Sequence, residues 1–82
     1  MVLIVVDPAR TIFEGKVHNV ILPGEKGVFE ILPFHRNLLS RLTGGLVSID
    51  GRFLSIRRGI VRVESDVVTV IAEGAKWVYH DA

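Results

Sequence analysis

The side chains with chemistry to offer are few and scattered. Three histidines, His18, His35 and His80, stand far apart in a chain without cysteine. Zinc sites draw on close ligand pairs, such as two histidines three to five residues apart, and none occurs here. Ser40, Ser48, Ser55 and Ser65 lack the context of a nucleophile elbow. The acids are dispersed over turns and strand ends, so no paired-carboxylate site is expected. Gly24-Glu25-Lys26-Gly27 superficially resembles a phosphate loop, but no Gly-Lys-Ser/Thr leads into a helix. It reads as a hairpin turn, as does Gly44-Gly45. No catalytic residue, metal or cofactor is expected.

Two further groups have open readings. Arg57-Arg58, with Arg52 and Arg62 nearby, is the densest basic cluster. It is either a set of solvated strand-end charges or a docking site for an acidic partner. Strand alternation puts Arg57 and Arg58 on opposite faces unless Gly59 bulges the strand. Trp77 and Tyr79, two apart, share a face if the tail is a strand. They either staple the tail to the sheet or anchor a partner, since both residue types favour interfaces.

Composition sets the frame for these residues. A chain of 82 residues makes one small domain. Such a domain buries only about 60% of its unfolded surface, so its stability margin is thin. No disulfide can widen that margin, which points to a reducing compartment. Ten basic and nine acidic residues give a net charge of +1, without the basic stripe that nucleic acid requires. The hydrophobic fraction is 49%, high for so small a domain. Some apolar side chains must lie outside, and a contiguous apolar patch marks an interface. No run approaches the ~20 apolar residues of a membrane span. Met1 to Val6 is too short for a signal-peptide core and reads as a first strand.

Valine and isoleucine dominate, with 13 and 8 copies. Both are stiff and favour strands. Turn signals recur every ~6 to 12 residues, the spacing of a sandwich or barrel. The pattern predicts strands over Val2–Val6, Thr11–Phe13, Lys16–Leu22, Val28–Leu32, Leu46–Ile49, Arg52–Ile56, Ile60–Glu64 and Val67–Ala72. Glu14-Gly15 is expected to break the second from the third, and Pro23 to Gly27 to form a tight loop. Asp50-Gly51 predicts a type I′ hairpin, which needs positive φ at both positions. Gly59 is expected to bulge or bend the strand ahead of Ile60, with Val61 and Val63 facing inward. His35 to Leu42 fits either one helical turn or a short strand. Lys76 to Ala82 fits either an edge strand or a loose end. One all-β domain, residues 1–82, is expected.

One family shows these residues in this order. Phe13-Glu14-Gly15-Lys16-Val17 is followed by the run from Leu22 to Pro33, then His35, Leu38-Leu39-Ser40, Leu42 and Gly45. Gly59-Ile60-Val61-Arg62-Val63 and Val67 to Ala72 complete the set. Over about residues 2 to 75 the chain resembles the epsilon subunits of F-type ATP synthases, in their N-terminal β-sandwich domain. The resemblance implies a sandwich of two packed, mostly antiparallel sheets with about ten short strands. It implies a non-catalytic rotor subunit at the foot of the central stalk. That subunit binds the gamma subunit and the membrane c-ring and couples ion-driven rotation to ATP synthesis. Its location would be peripheral, on the cytoplasmic face of the energy-transducing membrane, with membrane association only through the complex. It further implies that Glu25, Lys26, Gly27 and Val28 face the c-ring, and that Asp7, His35 and Ser40 lie toward gamma.

The chain departs from the family pattern in places. Phe34 stands where a glycine is common, Arg36-Asn37 follow His35 in place of Ala-Pro, and Arg58-Gly59 replaces a glycine pair. These changes put the gamma contact in question. No C-terminal helical hairpin follows, so its inhibition and nucleotide binding are not expected. A naturally short form and a trimmed chain are both compatible with that ending. The rivals from other classes are a generic β-sandwich adaptor and a barrel with a small-molecule site, which would need a concave pocket with convergent polar groups.

Overall fold

Alternating buried and exposed side chains organise the whole molecule. The computed structural model describes residues 1–79. They form ten strands: β1 (Val2–Val6), β2 (Thr11–Lys16), β3 (Val20–Gly24), β4 (Gly27–Ile31), β5 (Leu38–Leu42), β6 (Gly45–Ile49), β7 (Arg52–Ile56), β8 (Arg58–Glu64), β9 (Val67–Glu73) and β10 (Lys76–Val78). The described residues contain no helix. His80, part of the three-histidine set, and the end of the Lys76 to Ala82 tail lie outside them.

Strand pairing defines two five-stranded layers. One runs β4-β3-β6-β7-β10 and the other β5-β8-β9-β1-β2. β1 pairs parallel with β9; the other described pairs are antiparallel. The layers meet at a corner in β3. Its first residues, Val20 and Ile21, pair with β6, while Gly24 pairs with Leu42 of β5. The Pro23 carbonyl accepts from the Thr43 amide at 2.8 Å and from Thr43 Oγ1 at 3.2 Å. The ladder is thus continuous through one bridge, and the sandwich is a single sheet folded over.

The inward stripes fill the space between the layers. Leu3 and Val5 of β1, Val61 and Val63 of β8, and Val68 and Val70 of β9 meet Val20, Leu22, Ile31, Val47 and Leu54 from the opposite layer. Away from the corner, Phe13 of β2 meets Trp77 of β10 edge-on, with ring centroids 6.3 Å apart. The Arg52 guanidinium covers the same indole at 4.4 Å. Trp77 is therefore the staple of the tail, whereas Tyr79 lies past the strand and is exposed.

Three local expectations change, and one open reading resolves. Glu14-Gly15 does not break β2, because Gly15 pairs with Leu3 and the Phe13 ring lies against the glycine. The break falls at Val17 to Asn19 instead, where the chain crosses between layers. Pro23 and Gly24 belong to β3, pairing with Val28 and Gly27, so the turn is only Glu25-Lys26. His35 to Leu42 resolves as a loop and then strand β5. Gly59 makes no bulge: β8 and β9 stay in unbroken register from Arg58↔Glu73 to Glu64↔Val67. The glycine is needed for close approach, since a Cβ there would sit 2.6 Å from the Ile71 carbonyl oxygen. A register shift does occur, between Val5 and Val6 against β2.

The Asp50-Gly51 turn forms as expected, with φ of 46° and 85°. Its carboxylate also holds the layer crossing. Asp50 Oδ1 accepts from the amides of His18 and Asn19, each at 2.9 Å. The Asn19 amide chiefly, and that of His18, hold the Asp50 carboxyl below the ordinary carboxylate range, against a smaller opposing effect of burial. A carboxyl with a depressed folded pKa adds stability above its unfolded pKa and loses it as pH falls through the folded value. Asp50→Asn should therefore flatten the acid-side loss of stability below about pH 4 in urea titrations at several pH values. An unchanged acid limb would contradict that role. Gly59→Ala should lower stability by about 1–3 kcal/mol, because a backbone oxygen cannot rotate away. An unchanged denaturation midpoint would show that the strands yield there.

Candidate partner-docking surfaces

Strand register decides which side chains share the outer faces. On the β5-β8-β9-β1 layer, Arg41, Ile60, Ile71 and Val6 lie in one cross-strand row. The next row holds Leu39, Arg62, Thr69 and Ile4. Leu39, Ile60 and Ile71 are 72%, 44% and 52% exposed. At ~4.8 Å between strands, the first row spans about 14 Å. These residues face away from the core because Leu38, Val61 and Val70, their neighbours along each strand, face into it or pack against it.

Charges border this apolar face, and Arg41 and Arg62 enter its rows. Arg58 Nε lies 2.6 Å from Glu73 Oε2, and Arg62 pairs with Glu64. An open groove of about 370 Å³ lies between Glu25, Arg41, Arg58, Ile60, Ile71 and Glu73. The basic cluster of the sequence is thus divided. Arg58 and Arg62 have acidic partners, Arg52 lies on Trp77, and the Arg57 side chain packs over Gly74. Exposed pairs of this kind contribute little to stability. Arg58, Glu73 and Glu64 lie at the ends of the β8–β9 ladder, matching the polar border of protein interfaces, while Arg62 reaches Glu64 from the row it shares with Leu39.

The opposite outer face carries a second, less exposed row. Ile21, Ser48, Phe53 and Val78 line up across β3, β6, β7 and β10, with Leu46 alongside. Among the described residues no group of histidines and acids could hold a metal. His18 stands at the layer crossing, 3.7 Å from Asp50, and His35 lies in the β4–β5 loop.

The sequence-derived contact residues fall into two sets. Glu25 and Lys26 form the β3–β4 turn, and Gly27 and Val28 open β4, with Val28 74% exposed. Ser40, on β5, lines a groove with this same turn. Asp7 ends β1 and accepts from the amides of Ala9 and Arg10 at 2.8 and 2.9 Å, closing the Asp7-Pro8 turn. His35 leads into β5, its amide on the Leu32 carbonyl. Asp7 and His35 lie at opposite ends of one layer, since β1 ends level with Leu42 while β5 begins at the other end. They do not touch, but the apolar face lies between them.

A family profile described as the ATP synthase delta/epsilon chain, β-sandwich domain, matches residues 1–78. The chain belongs to that family. It is 35% identical over 79 residues to an ATP synthase epsilon chain of Campylobacter jejuni, covering 90% of this chain and 61% of the relative. It is 42% identical over 76 residues to the epsilon chain of a Nitratiruptor species, covering 87% and 59%. The chain thus spans about three-fifths of the length of these relatives. The fold is shared with a chain in the central stalk/c-ring structure of the Tetrahymena thermophila mitochondrial ATP synthase. There the TM-score is 0.80 at 14% identity, covering 92% of this chain and 64% of that one. A chain in the OSCP/F1/c-ring structure of the Euglena gracilis mitochondrial ATP synthase gives 0.86 at 17% identity, covering 92% and 51%.

Leu39, Ile60 and Ile71 were not singled out as site residues by sequence reasoning. A signal was present in β9. Val67 to Ala72 is apolar at all positions but Thr69, and such a run loads both faces of a strand. In β8, Ile60 occupies the phase otherwise held by Arg58, Arg62 and Glu64.

Proposed function

We propose that this chain is a non-catalytic rotor subunit of an F-type ATP synthase, held by gamma on one side and touching the c-ring at one tip. The apolar face of Leu39, Ile60 and Ile71, bordered by charge, carries this reading. Large apolar side chains on a sheet face need a cover, and protein interfaces provide one. Asp7, His35 and Ser40 all belong to or flank the layer that bears this face, which makes it the gamma side. Glu25 to Val28 project from the other layer as a hairpin tip, suited to a c-ring contact.

The mechanical role follows from the architecture. Hydrogen-bonded strands joined at the β3 corner, and closed by Phe13 against Trp77, resist bending. Such a body passes torque between two partners without chemistry of its own. Ion-driven rotation of the ring would reach the catalytic head through gamma, with this subunit riding at the foot of the shaft. Its place would be peripheral, on the cytoplasmic face of the energy-transducing membrane, through the complex alone.

Gel filtration with purified gamma tests the reading. The two chains should co-elute at low and moderate salt, and failure to do so would overturn it. Ile71→Lys should weaken the complex at least about tenfold, the effect of removing an interface hot spot. It should change stability by no more than about 0.5 kcal/mol, because the site is on the surface. Equal binding by the variant would remove this face from the gamma contact. Val28→Asp should leave gamma binding intact and lower rotation-coupled ATP synthesis in assembled complexes. Full coupling would argue against the tip as a ring contact.

A further inference from the structure

We infer that Phe34 is an aromatic anchor that enters an apolar socket on gamma; the inference rests on the rotor reading above. Its backbone is left-handed, with φ of 65°. A bulky residue rarely adopts that region, and strain of this kind persists where the surroundings impose it. The residue is 91% exposed, so the free domain recovers little by burying its ring.

The surroundings do impose it. The Phe34 amide donates to Asp66 Oδ1 at 2.9 Å. Asp66 sits in the β8–β9 turn, itself left-handed at φ 61°. Its Oδ2 lies 3.6 Å from the Met1 ammonium, and its carbonyl accepts from the Val2 amide at 3.1 Å. On the other side, His35 donates its amide to Leu32 and places Nδ1 2.7 Å from the Arg36 carbonyl. One carboxylate thus ties the aromatic's backbone to the chain start and to a hairpin. A ring displayed on a fixed backbone loses little freedom on binding, which is the property of an interface hot spot.

Position selects the partner. Leu32, 50% exposed, precedes Phe34, and Leu39, 72% exposed, begins the apolar face five residues later. Phe34 lies at the β5 start of that layer, whereas the Glu25-Lys26 turn lies level with the β5 end. The socket therefore belongs to the partner covering β5-β8-β9, which is gamma, and not to the c-ring.

Calorimetric titration of gamma with the 82-residue chain and its variants decides the matter, alongside thermal melts. Phe34→Gly relieves the left-handed strain, so its melting temperature should equal or exceed that of the unsubstituted chain. Its affinity for gamma should fall at least about tenfold. Phe34→Trp should bind within about threefold of the unsubstituted chain, because the anchor is kept. Equal gamma affinity for Phe34→Gly overturns the inference while leaving the rotor reading intact. So does a loss confined to detergent-solubilised c-ring, or a marked drop in melting temperature. No gamma binding by the unsubstituted chain overturns both.

Discussion

Burial of a single apolar stripe from each layer is the constraint on which the rest depends. A strand has two faces and a two-layer sandwich has one interior, so half of every strand must look outward. The interior is saturated by Leu3, Leu22, Ile31, Ile49, Leu54 and by Val5, Val20, Val47, Val61, Val63, Val68 and Val70, each almost fully buried. Leu39, Ile60 and Ile71 are in the wrong phase to join them. Their exposure is a consequence of β periodicity acting on a chain richer in apolar residues than one small core can hold.

Two seams keep the layers in place. On one side β3 changes partner from β6 to β5 at Gly24, with Thr43 bonded to Pro23. On the other, Phe13 packs edge-on against Trp77 across the gap, and Arg52 covers the same indole from its own layer. Two turn aspartates finish the closure: Asp50 holds the layer crossing at His18-Asn19, and Asp66 holds the loop at Phe34. Each works at long sequence separation, so the fold is pinned at its ends as well as through its core. Such a body suits a rigid adaptor and leaves its loops and outer faces free for recognition.

Much of the fold was legible in the sequence. The valine and isoleucine content and the turn spacing gave the all-β class, and Asp50-Gly51 located its hairpin. The misread elements share a cause. Glu14-Gly15, Pro23-Gly24 and Gly59 all look like punctuation, yet all lie in strands. Their roles come from tertiary neighbours: the Phe13 ring on Gly15, Phe29 over Gly24 and the Ile71 carbonyl against Gly59. No local rule contains those contacts. The site was legible only in outline. Family resemblance implied that Asp7, His35 and Ser40 lie toward gamma, but their shared layer and its apolar face required the register of β5, β8 and β9. Phe34 stood out by residue type, and only its backbone angle and its bond to Asp66 gave it a physical role.

Residue-resolved photochemical labelling of side chains, on the free chain and on its complex with gamma, tests the central claim most directly. Leu39, Ile60 and Ile71 should lose their labelling in the complex, while Leu46 and Val78 on the opposite face keep theirs. The reverse pattern, or unchanged labelling of the β5-β8-β9 face in a complex that forms, would contradict it.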